Sequence, residues 1–163
     1  MPGKYSTIYL VNTEKLLWYC INGDIQSFKD TMASFPSSSM HQSFVIQELG
    51  SVMMEAIKQD NTQFILGLLR HGFEIHSYFT SEATIQKAKG ALECFIQRGW
   101  DINEPASDVK PPVLGYAIHT IQDEEMTNWL LEADISIEDA NGRTVIEWAR
   151  VLNQTKILKP LEN

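Results

Sequence analysis

The sequence has few cysteines, no long apolar run and no basic cluster, and each shortage removes a class of function. Two cysteines in 163 residues, Cys20 and Cys94, cannot build a disulfide framework. They form no C-x-x-C pair. Each sits in an apolar helical pattern, so both are expected to be buried, reduced thiols of the kind found inside cells. No apolar stretch reaches the roughly 18 residues that a membrane-spanning helix needs. The early run Thr7 to Val11 is too short for a signal peptide, and the charged pair Glu14-Lys15 separates it from the next apolar residues. A cytoplasmic or nuclear protein is the expectation. Acidic residues outnumber basic ones 21 to 13, for a net charge of −8. That charge repels phosphate backbones, so direct nucleic-acid binding is disfavoured. No G-x-G-x-x-G, Walker-type or G-x-S-x-G motif occurs, so no nucleotide cradle or serine nucleophile is indicated.

The composition itself is globular, 44% hydrophobic and 21% charged, and the chain is long enough for one domain with a real core. It also repeats. Apolar helical patterns recur around a small residue: Cys20 in LLWYCI, Ala56 in MMEAIKQ, Ala83 in SEATIQK, Ala117 in PVLGYAI and Ala149 in TVIEWA. These anchors stand 36, 27, 34 and 32 residues apart. A second segment repeats without gaps. LLRHGFEIH, Leu68 to His76, aligns with FIQRGWDIN, Phe95 to Asn103, pairing Gly72 with Gly99, Glu74 with Asp101 and Ile75 with Ile102.

DANGRTVIEWA, Asp139 to Ala149, resembles the opening of an ankyrin repeat, D-x-x-G-x-T-P-L-H-x-A. Asp139, Gly142, Thr144 and Ala149 match, Ile146 takes the leucine place, and Val145 and Glu147 replace the proline and histidine. GWDIN, Gly99 to Asn103, resembles the closing L-L-x-x-G-A-D-V-N, with Trp100 in the alanine place. The mean anchor spacing agrees with the roughly 33-residue ankyrin period. The phrasing GWDIN…PPVLGYAI looks like that of small, diverged fungal-type ankyrin proteins. The resemblance implies an all-α solenoid of about four to five helix-turn-helix units with short β-turn fingers. Its units fall near residues 13–43, 44–76, 77–103, 104–138 and 139–158, after an N-terminal cap segment at 1–12.

Within this frame Thr13 is expected to cap the first helix, and Ile25, Phe28 and Met32 to form the inner stripe of the second. Gly72 is expected as a left-handed residue closing a helix. The third unit fits either two short helices or one bent helix. Glu104 to Pro111 reads as a long finger, with Pro111 and Pro112 suited to a helical first turn. After Leu130-Leu131 the turn glycine is missing. Trp18, Tyr19, Tyr116, Trp129 and Trp148 lie among leucines at helical spacing, which reads as core.

No catalytic, cofactor or metal site is expected. His71 and His76 straddle Gly72 and cannot share a helical face, and Asp123-Glu124-Glu125 reads as acids complementing a helix N-terminus. Ankyrin proteins hold partners on a concave groove, against finger tips and exposed first-helix positions. Carried over by position, the candidate contact residues are Asn22, Lys58, Ile85 and His119 on helices, with Asp108, Lys110, Ala140, Asn141 and Arg143 on fingers. The resemblance thus implies a monomeric, non-enzymatic interaction module or adaptor for a protein partner, with no membrane contact. A transcription coregulator that does not touch DNA is one form of it. The alternative is an enzyme or small-molecule binder of a biosynthetic pathway, using the groove as a pocket.

Overall fold

The computed structural model describes residues 4–34, 42–102, 105–107, 110–112, 124–130, 144–151 and 153. Helices α1 (Lys4–Asn22), α2 (Ile25–Ala33), α3 (Gln42–Lys58), α4 (Thr62–Arg70), α5 (Ser77–Ile85) and α6 (Lys89–Gln97) succeed one another. Then come strands β1 (Pro105–Ser107) and β2 (Lys110–Pro112) and helices α7 (Glu124–Leu130) and α8 (Val145–Val151). The chain divides into two compact units, Met1–Glu74 and Ile75–Asn163.

One physical device ends five of these helices. A residue with positive φ sits just past each: Gly23, Asp60, Gly72, Lys87 and Gly99. Its N–H donates to the carbonyl three residues back, and the next N–H donates to the carbonyl five back, at 2.8 to 3.3 Å. This is the Schellman closure, which satisfies carbonyls a helix end would otherwise leave bare. Asp60 precedes Gly72, and Lys87 precedes Gly99, by the same 12 positions. The gapless match between Leu68–His76 and Phe95–Asn103 is the sequence trace of this closure. After the glycine, a buried residue (Phe73, Trp100) is followed by an exposed acid (Glu74, Asp101) and a half-buried isoleucine (Ile75, Ile102). Trp100 is buried behind the glycine. It stands at the position where a Schellman turn places an apolar contact, edge-on to Phe95 with ring centroids 6.5 Å apart.

In the first unit, α2 lays Phe28 and Met32 inward, as the spacing predicts, while Ile25 at its start is half-buried. Asp24 caps it, its carboxylate accepting from the Ser27 N–H at 3.1 Å. Asn61 caps α4 in the same way, accepting from the Gln63 N–H at 3.2 Å. Phe28 and Phe64 meet edge-to-face at 4.8 Å. Gly67 lets the α2 ring come close, since a Cβ there would stand 2.8 Å from Phe28 Cε1. Leu16, Cys20, Val52, Met53, Ala56, Ile57, Ile65 and Leu68 complete a fully buried core.

Two expectations change here. Thr13 does not cap a helix. It is a buried residue inside α1, which runs unbroken from Lys4. Asn12-Thr13 are cap-favouring residues but not breakers, and no glycine or proline interrupts the stretch. Trp18 is not core. It is 57% exposed, because Thr13, Leu16 and Cys20 define the buried stripe and Trp18 lies about 200° around the helix from Leu16.

In the second unit, residues 77–97 form two helices and not one bent helix, separated by the Lys87 turn. The α5 core face is small and partly polar: Thr80, Ala83 and Thr84 are buried with Phe79. Both threonine hydroxyls donate back into their own helix, Thr80 to Ser77 O at 3.0 Å and Thr84 to Thr80 O at 2.8 Å. The expected finger is present as a hairpin, with Pro105 opposite Pro112 and Ser107 opposite Lys110. Pro111 and Pro112 therefore lie in a strand and not in a helical first turn. A two-stranded hairpin consists of two edges, where a missing N–H is tolerated. Met126 and Leu130 are buried one helical turn apart on α7, and Trp129 is half-buried.

Candidate functional site

The exposed side of the first helix of each pair was the expected contact line. Three of its members are described there. Asn22 is exposed at the end of α1, its amide donating to Trp18 O at 2.7 Å. Lys58 is exposed in the last turn of α3, where a cation complements the helix dipole. Ile85 is 39% exposed at the end of α5. Lys110 lies in β2. Asp108, His119, Ala140, Asn141 and Arg143 fall outside the described residues, as do Asp123, Tyr116 and Leu131.

The Schellman closures give a sharper register than the small-residue anchors. Two residues before the positive-φ positions Gly23, Asp60 and Lys87 stand Ile21, Lys58 and Ile85. Ile21, and not Asn22, is therefore the α1 counterpart of Lys58 and Ile85. It is 56% exposed. The residue immediately before it, Cys20, corresponds to Ile57 and Thr84, and all three are fully buried. Anchoring on Cys20 as an alanine stand-in displaced the first unit by one position.

Among the described residues the exposed large apolar side chains are two on α1, two on α5, Ile96 (39%) on α6 and Val151 (67%) on α8. Trp18 and Ile21 lie three residues apart on α1, and Tyr78 (62% exposed) and Ile85 lie seven apart on α5. Leucine neighbours make Trp18 read as core, and Tyr78 carries no expectation from the sequence. The signal that finds them is the phase of the buried stripe within each helix.

Burial, reinforced by the Glu55 charge, pushes the Cys20 thiol up to about 12. Its S–H points at Val52 O, 4.0 Å away. Such a thiol is neither nucleophile nor metal ligand at neutral pH. Cys94 is also buried and unbridged. Among the described residues no group of three or more His, Cys, Asp or Glu side chains could hold a metal ion. None of the described helices is long and apolar enough to cross a membrane. His71 Nδ1 lies 2.9 Å from Gly67 O, a contact at the end of α4.

The opening of the last repeat also has a local explanation. Thr144 Oγ1 accepts from the Glu147 N–H at 3.3 Å, while Glu147 Oε2 accepts from the Thr144 N–H at 2.7 Å. This reciprocal pair is a capping box. Glu147, in the place of the consensus histidine, starts α8 through its carboxylate.

No protein-family model and no curated protein matches the sequence. Among solved structures the chain is similar to the crystal structure of EF0377, an ankyrin repeat protein. Identity is 17%, the match covers 91% of this chain and 96% of that one, and the TM-score is 0.53. At that identity the likeness concerns the fold, and the chain has the ankyrin-repeat fold.

Proposed function

We propose that the protein is a non-enzymatic interaction module whose partner is another protein, docked on the exposed side of the first helices. The observation that carries this reading is the pair of apolar exposures, Trp18 with Ile21 on α1 and Tyr78 with Ile85 on α5. Isolated exposed apolar residues need no explanation, but Ile21 and Ile85 stand at equivalent helix-end positions and each shares its own helix face with a large exposed aromatic, Trp18 or Tyr78, which fits a contact surface on each helix. Aromatic side chains give such surfaces much of their binding energy. Lys58, His119 and Arg143 supply polar contacts in this reading, with Asn141, Asp108 and Lys110 at finger positions.

The finer form is an adaptor in the cytoplasm or nucleus, acting as a monomer. A transcription coregulator that meets DNA-binding proteins and not DNA is compatible with a net charge of −8. The fungal-type phrasing of GWDIN…PPVLGYAI supports that form. Affinity capture from native extract tests it, with a combined Lys58→Ala, His119→Ala, Arg143→Ala variant as control. One protein retained by the native chain and lost with the variant is expected. Equal retention by both excludes these positions.

A further inference from the structure

We propose that the exposed face of α5 docks a cationic, apolar-bearing peptide segment of a partner protein. This rests on the interaction-module reading above and specifies the chemistry of the partner. Phe79, Thr80, Ala83 and Thr84 put the buried stripe of α5 on one side. Tyr78, Glu82 and Ile85, spaced by four and three residues, form a single ridge on the opposite side at about 100° per residue. The ridge is apolar at both ends, with Tyr78 62% and Ile85 39% exposed. Its centre is Glu82, the sole charged residue of α5. Glu82 Oε1 accepts from Gln86 Nε2 at 2.8 Å, a neutral donor that leaves the carboxylate charge uncompensated. Among the described residues Glu82 has no ion pair.

The charge carried by the unit's sequence sets the sign of the partner. Residues 75–163 carry 14 acidic and 8 basic side chains, which is −6 of the chain's −8. Residues 111–142 contain seven of those acids and neither lysine nor arginine. Acidic peptides and nucleic acids are repelled from such a unit, and cationic segments are drawn to it. An aliphatic or aromatic side chain covers Tyr78 and Ile85, and a neighbouring lysine or arginine meets Glu82 once water is displaced. The α1 ridge lacks this preference. Trp18 and Ile21 are flanked by exposed Glu14 and Lys15, which are of opposite sign.

The test is selection of a phage-displayed random 16-residue peptide library on the full chain, then binding of the enriched peptides to Tyr78→Ala and Glu82→Lys. Both positions lie off the core face, so circular dichroism and thermal melting of the variants stay at native values. The expected peptides combine lysine or arginine with a large apolar residue and weaken as salt rises. Each variant lowers their affinity by about tenfold or more. Peptides that enrich yet bind both variants as tightly as the native chain overturn the α5 site and leave the broader reading intact. Enriched peptides without basic residues overturn the cationic assignment. Failure of any peptide to enrich on the native chain overturns the α5 proposal, while capture from extract judges the broader reading separately.

Discussion

The helix pairs α3–α4 and α5–α6 close in the same way and fill their interiors differently. Both place a non-glycine residue in the left-handed region after the first helix, Asp60 or Lys87, and a glycine after the second. Yet α3 is 17 residues long and α5 only 9. The longer pair buries large side chains: Val52, Met53, Ile57, Phe64, Ile65 and Leu68. The shorter one buries Thr80, Ala83, Thr84, Ala88 and Ala91 beside Leu92 and Phe95. A repeat can therefore lose residues from its first helix if its packing face becomes small and its hydroxyls bond within their own helix. Closure sets the repeat, and side-chain volume adapts to its length.

The most disruptive way to test this contrast is on the large-volume side. Phe28→Ala removes the ring that Gly67 makes room for, and should cost about 3–5 kcal/mol in chemical denaturation. A loss below about 1 kcal/mol, well under the usual cost of such a cavity, would mean that the Phe28–Phe64 contact is not a packing centre. On the small-volume side the opposite error should hurt. Ala83→Leu overfills the α5 face and should cost about 1–3 kcal/mol. An unchanged melting temperature would show that the pair is loosely packed.

The shared feature gives a smaller, stabilising effect. Lys87→Gly and Asp60→Gly relieve a left-handed residue, against the greater freedom of glycine in the unfolded chain. Each should gain about 0.5–1 kcal/mol. Destabilisation by both would contradict the closure.

The smallest effect concerns the Asp24 cap. Its carboxyl is held below the usual 3.8 by the hydrogen bonds from Ser27, side chain first and backbone second. A lowered folded value means the ionised cap stabilises fully above the unfolded value, and that support is lost as pH falls through the folded one. Asp24→Asn should thus match the native chain more closely in strong acid than near neutral pH. A stability difference independent of pH would show that the charge is immaterial.

How far the sequence revealed this structure depends on which signal each element carries. Gly72 and Gly99 were legible as helix closures because a left-handed turn favours glycine. Lys87 was not, because a lysine carries no such mark, and the third unit stayed ambiguous between one helix and two. Thr13 misled because cap preference is weak where nothing breaks the helix. The Asp108, Lys110, Asn141 and Arg143 finger positions came from the family resemblance and not from local chemistry. In the candidate surface, Ile85 was placed by repeat arithmetic. Ile21 was missed by one position, since Cys20 is small but stands at the Ile57 position. Trp18 and Tyr78 needed the phase of the buried stripe, which apolar content alone does not contain.

The central claim is that partners meet the first helices and not the second. The most direct measurement is site-specific photo-crosslinking in native extract, with benzoylphenylalanine at Ile21 or Ile85 and, for comparison, at Lys29 of α2 or Gln97 of α6. All four positions are exposed, so the probe leaves the core intact. The account predicts a discrete protein adduct from Ile21 and Ile85 and none from Lys29 or Gln97. Adducts from the second-helix positions alone, or equally from all four, would contradict it.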